Sequence, residues 1–112
     1  MNLSLTIQNK VKYMITTKQR AYLRGLANKE NAIFQIGKGG ITDEIIKEID
    51  IVLEKRELIK VTVLETSFMT TRGACEAVCE AVGAEPVQCI GSKFVIYRMA
   101  KAKDNRKIEL PK

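Results

Sequence analysis

Histidine and tryptophan are both missing from this chain of 112 residues. Without histidine there is no usual general base, no imidazole to complete a nucleophilic triad and no imidazole ligand for zinc. No Ser-x-x-Lys or Gly-x-Ser-x-Gly arrangement stands in for it. The three cysteines, Cys75, Cys79 and Cys89, follow a C-x3-C-x9-C spacing that matches no zinc pattern. They read as small buried thiols of a reducing compartment. These absences predict a non-catalytic protein with no metal site and no cofactor.

Aromatic residues are scarce too. Tyr13, Tyr22, Phe34, Phe68, Phe94 and Tyr97 are the full set, and most fall at predicted core or strand positions, so no exposed platform for stacking bases is expected. Phe68, in a loop, is the most open case. No stretch approaches the roughly eighteen uncharged apolar residues of a membrane helix, and the N-terminus lacks a secretory hydrophobic region. The expectation is a cytoplasmic protein without a membrane partner.

What the chain has in plenty is charge, unevenly placed. Nineteen Lys and Arg against thirteen Asp and Glu give +6. Residues 43–57 hold six of the acids and only three bases, which leaves +9 on the rest. Residues 1–42 carry seven bases against Glu30 alone. Such asymmetry points one face at a polyanion and another at solvent.

The elements follow from caps and periodicity. Thr16-Thr17-Lys18-Gln19 spells a capping box. In the helix it opens, Gln19, Tyr22, Leu23 and Leu26 are expected to face the core, with Arg20 and Arg24 on a solvent face near Lys18. Ala32 to Ile36 reads as a short strand buried on both faces. Ile41, Ile45, Ile49, Val52 and Leu53 mark a second helix, capped by Thr42 with Asp43 and Glu44 in its first turn. Leu58 to Leu64 is a second strand, and strand-helix-strand implies a parallel crossover. A third helix runs from about Arg72 to Val82 with Gly83 as its C-cap. Pro86–Ile90 and Lys93–Arg98 form a hairpin around Gly91-Ser92. The fold class is therefore α/β, a two-layer α-β-α-β-α-β-β domain with a four-stranded mixed sheet. Residues 1–13 read as a flexible N-terminal extension, 14–100 as the domain, and 101–112 as a basic tail anchored by Ile108 and Leu110.

Between the first strand and the second helix stand Gly37, Lys38, Gly39 and Gly40. Three glycines let the backbone take positive φ and approach a ligand without a Cβ in the way, while Lys38 adds a mobile positive charge. A G-x-x-G loop of this kind clamps a nucleic-acid backbone in KH-type domains. The spacing excludes a Walker A motif, because Thr42-Asp43 stand where Gly-Lys is needed. Asp43 and Glu44 compete with a phosphate for the helix end, so the loop amides and Lys38 are the expected phosphate contact.

Several motifs occur in one order: Thr17-Lys18-Gln19-Arg20 with Leu23-Arg24-Gly25-Leu26-Ala27, Gln35 to Thr42, Glu57 to Val61, Val87 to Gly91, and Phe94 to Arg98. Over residues 14 to 111 the chain resembles bacterial YhbY-type proteins, the stand-alone form of the CRM (chloroplast RNA splicing and ribosome maturation) domain. The resemblance implies a fold like that of the C-terminal domain of bacterial translation initiation factor three. It also implies RNA binding associated with precursors of the large ribosomal subunit. Carried over residue by residue, the implied RNA contacts are Gly37, Lys38, Gly39 and Gly40, with Lys18, Arg20, Arg24 and Arg98 as additions. The expected partner is large-subunit ribosomal RNA or a pre-ribosomal particle, met by a monomeric protein through phosphates and shape. The alternative is a protein-interaction module that docks a ribosomal protein or assembly factor through the acidic helix 43–57.

Overall fold

Thr16 opens the first helix as its sequence predicts. Its hydroxyl accepts the Gln19 amide at 3.0 Å, and the Gln19 side chain accepts the Thr16 amide at 2.9 Å. The protein is described by a computed structural model covering residues 15–112, so the extension 1–13 lies outside the described residues. The elements run α1 (Thr17–Ala27), β1 (Ala32–Ile36), α2 (Asp43–Arg56), β2 (Leu58–Val63), α3 (Thr71–Val82), β3 (Glu85–Ile90) and β4 (Lys93–Tyr97). Short 3-10 turns at Glu65–Ser67 and Lys103–Asn105 complete them.

The sheet is mixed and four-stranded, in the order β1-β2-β4-β3. β1 and β2 are parallel, joined across α2, while β4 runs antiparallel to both β2 and β3. Two lines of pairing define its ends. Leu58, Tyr97 and Glu85 are neighbours at one end. At the other, Gln35, Thr62, Lys93 and Ile90 form one cross-strand row.

Side-chain alternation divides the core in two. Ile59, Val61, Phe94 and Ile96 point to one face and pack with Ile49 and Leu53 of α2 and with Ala74, Cys75, Val78 and Cys79 of α3. Leu58, Val95, Tyr97 and Val87 point to the other and pack with Leu23 and Ala27 of α1. The helices thus lie on both faces, and the arrangement has three layers where the sequence suggests two. The reason is the β4 pattern: all four residues Phe94 to Tyr97 are buried, which no single helical layer can achieve.

β1 departs from expectation as well. It is an edge strand, and Ile33 and Gln35 are exposed on the side that α1 does not reach, so it is not buried on both faces. Tyr22, a core position by helical spacing, is 43% exposed. Among the described residues no helix is long and apolar enough to cross a membrane.

Residues after β4 are tied down by α2. Glu57 ends that helix in the left-handed conformation, φ 66°, and is fully buried. Its carboxylate accepts the amides of Ala100 (2.7 Å), Lys107 (2.7 Å) and Ile108 (2.9 Å). One turn earlier, Glu54 accepts the amides of Lys101 and Ala102 and the side chain of Asn105. These bonds, Asn105 first, hold the Glu54 carboxyl down at about 2. Ile108 and Leu110 then pack beside α1, and the Gln19 side chain donates to the Pro111 carbonyl at 2.9 Å.

Candidate functional site

At the end of β1 the chain turns within four residues, and the Gly40 amide donates to the Gly37 carbonyl at 2.8 Å. Gly40 carries φ 70°, a left-handed value that an L residue adopts only with strain. It alone of the three glycines uses positive φ. At Gly37 a Cβ would meet Leu64 Cδ1 at 3.4 Å and Thr66 Oγ1 at 3.6 Å, and at Gly39 it would meet Thr42 Cγ2 at 3.6 Å. Those are ordinary contacts, so the backbone needs glycine only at position 40. Residues 37 and 39 instead keep the outer surface of the turn bare.

That surface has unused donors. The amides of Lys38 and Gly39 find no acceptor among the described residues, and both residues are exposed. The neighbouring helix end is occupied: Thr42 Oγ1 accepts the Ile45 amide at 3.2 Å, and Asp43 and Glu44 stand exposed in the first turn. An anion is therefore best received on the turn itself, by two amides and the Lys38 ammonium.

Three connections meet here and are stitched together. The Leu64 amide donates to the Ile36 carbonyl (2.9 Å), the Val63 amide to the Ser92 carbonyl (2.7 Å), and the Thr71 hydroxyl to the Gly91 carbonyl (2.7 Å). The glycine turn, the β2–α3 loop and the β3–β4 turn thus make one rim. Two bases that the sequence did not single out project near it, Lys93 at the start of β4 and Arg72 in the first turn of α3, and both are exposed. Strand order, which composition does not reveal, sets Lys93 beside the β3–β4 turn with β2 between it and β1, and Arg72 over Cys89 at the β3 end of the rim.

The other basic candidates separate. Arg98 is 8% exposed, and its guanidinium binds the Asp50 carboxylate and carbonyl and the Val82 carbonyl. It locks α2 and α3 to the end of β4, and its inclusion among RNA contacts is corrected: a buried guanidinium so engaged cannot reach a phosphate. Arg20, a solvent-face residue by helical spacing, is half-buried instead. Its Nε donates at 3.1 Å to the carbonyl of Pro86, which pairs with Ile96 away from the glycine turn. There it borders a concavity of about 350 Å³ that Arg72, Glu76 and Gln88 also line. Arg24 is half-buried, and Lys18 is exposed in the first turn of α1.

Among the described residues, the thiols are not set up as nucleophiles. Cys75 and Cys79 are buried, and Cys75 is pushed far above the ordinary thiol value by its hydrogen bond to Cys79 and by burial. Burial, then Cys75, raises half-buried Cys89 to about 11. The Cys75 and Cys89 thiols stay protonated at neutral pH, and Cys75 and Cys79 serve the core.

Helices on both faces of a mixed sheet, with a bare glycine turn and exposed lysines on one rim, define a small α/β domain. Residues 15–98 match the sequence profile of the CRS1/YhbY (CRM) domain, and the chain belongs to that family. It is 43% identical over 98 residues to the "Probable RNA-binding protein YqeI" of Bacillus subtilis, covering 88% of this chain and 100% of that one. It is 35% identical to an "RNA-binding protein" of Haemophilus influenzae, covering 88% of this chain and 96% of the relative. The solution structure of SAV1595 from Staphylococcus aureus superposes with a TM-score of 0.68 at 48% identity, covering 88% of this chain and 100% of that one.

Proposed function

We propose that this protein is a non-catalytic RNA-binding module that associates with large-subunit ribosomal RNA during ribosome assembly. One observation carries the reading: a turn closed by its own Gly40–Gly37 hydrogen bond offers an anion Lys38 and two backbone amides that find no acceptor among the described residues. Backbone amides at a glycine turn grip phosphates without regard to sequence, and the lysines add affinity that salt weakens. Lys18 and Arg24 extend the basic surface along α1, and Arg20 retains its terminal nitrogens for the same use. The names of the relatives agree with RNA as the partner. The working form is a cytoplasmic monomer. The alternative, docking a protein through the acidic face of α2, is weakened because Glu54 and Glu57 are spent on the residues after β4.

Crosslinking in cells followed by sequencing of the bound RNA tests the assignment. Crosslinks gathered on large-subunit ribosomal RNA are the expected outcome. Crosslinks spread over unrelated transcripts, or recovered only on protein, would remove the ribosomal assignment.

A further inference from the structure

Phe68 is 95% exposed, a position an aromatic ring seldom takes without a partner. Its backbone is left-handed, φ 58°, which a bulky residue rarely adopts. The loop holds it there firmly. The Phe68 amide donates to the Glu65 carbonyl at 3.0 Å. The Ser67 hydroxyl donates to the Leu64 carbonyl at 2.7 Å and accepts the Met69 amide at 3.1 Å. Thr70 then caps α3 by accepting the Gly73 amide at 3.0 Å. Anchored on both sides, the loop displays the ring outward, and strained backbone maintained for display is a mark of function.

The loop that carries the ring also borders the glycine turn. Leu64 and Thr66 of this loop border Gly37, and Thr66 precedes Phe68 by two residues, so their Cα atoms are at most about 7 Å apart. From these facts we infer that Phe68 is a base-stacking residue, receiving an unpaired RNA base whose phosphate lies on the turn at Lys38 and Gly39. This rests on the RNA-binding reading above. The surroundings favour a base over a hydrophobic protein partner. Glu65, Thr66, Ser67 and Thr70 flank the ring with polar groups and Leu64 and Met69 are its apolar neighbours on the loop, while Lys38, next to Gly37 on the turn that this loop borders, supplies the charge a nucleotide requires and a purely apolar partner would not use. Stacking needs a base free of its helix, so the interaction selects single-stranded or bulged RNA over duplex. The scarcity of aromatics elsewhere makes this one ring decisive for that selection.

The test is a titration of the intact chain with a single-stranded RNA oligomer carrying 2-aminopurine, and with a perfect duplex of the same length. Wild type, Phe68→Ala, Phe68→Trp and Lys38→Glu are compared. Wild type should quench the 2-aminopurine on binding. Phe68→Ala should bind the single strand roughly ten- to a hundred-fold more weakly, with duplex binding and thermal unfolding unchanged, and Phe68→Trp should retain affinity. Lys38→Glu should weaken both RNAs. Equal single-strand affinity of Phe68→Ala and wild type would overturn the stacking role and leave the RNA reading intact. An equal weakening on both RNAs would also overturn it, because stacking cannot account for that. No RNA binding by the wild-type chain would overturn both.

Discussion

Arg98 grips Asp50 twice, donating to its side-chain carboxylate and, at 2.9 Å, to its main-chain carbonyl. A third bond reaches the Val82 carbonyl at 3.0 Å. The side chain therefore joins the end of β4 to α2 and to the last turn of α3. Replacing it by alanine should cost about 2 kcal/mol in urea unfolding, discounted because the Asp50 carboxylate is half in solvent and rehydrates. RNA affinity per folded molecule should not change. Weaker binding with stability preserved would return Arg98 to the binding surface.

The three glycines of the turn should separate by alanine substitution. Gly40→Ala forces a left-handed alanine and should lower stability by about 1 kcal/mol. Gly37→Ala and Gly39→Ala find ordinary contacts and should unfold close to wild type. Gly39→Ala should nevertheless bind RNA more weakly, since its methyl group covers the surface a phosphate approaches. Thermal unfolding alongside an RNA titration measures both quantities. Full RNA affinity in Gly39→Ala would speak against close approach at that point.

Glu54 gives the fold an acid-sensitive element. Its carboxyl is lowered from 4.5 to about 2 by Asn105 and by the amides of Lys101 and Ala102. A folded value below the unfolded one contributes stability at pH above about 4.5, and that contribution disappears as pH falls towards 2. The Lys101 and Ala102 amide resonances should titrate with a midpoint near 2, and Glu54→Gln should flatten this part of the pH dependence of unfolding. A midpoint near 4.5 would show that the carboxylate is not engaged.

How much of this the sequence announces depends on the range of the interaction. Thr16, Thr42 and Thr70 cap their helices and Gly83 ends α3 at φ 69°, all local signals readable within four residues. β1 at Ala32–Ile36 and the hairpin around Gly91-Ser92 are legible for the same reason. What distance hides is which base is free. Arg98 and Lys93 look alike in sequence, flanking the same apolar run, yet the fold places one against Asp50 and the other beside the Gly91 turn. For Phe68 the sequence shows a loop aromatic, the most open of the set, but not its full display, which depends on a 3-10 turn whose bonds run through Ser67.

The central claim is that the turn at Gly37–Gly40 receives RNA phosphates with Lys38 as its charge. Its most direct test is the affinity of wild type and Lys38→Glu for a single-stranded RNA across a salt series. The account predicts that wild type weakens linearly in log–log form, and that the variant binds more weakly with a slope shallower by roughly 0.7 for each phosphate that Lys38 neutralises in wild type. Superimposable lines for the two proteins, with both folded, would contradict it.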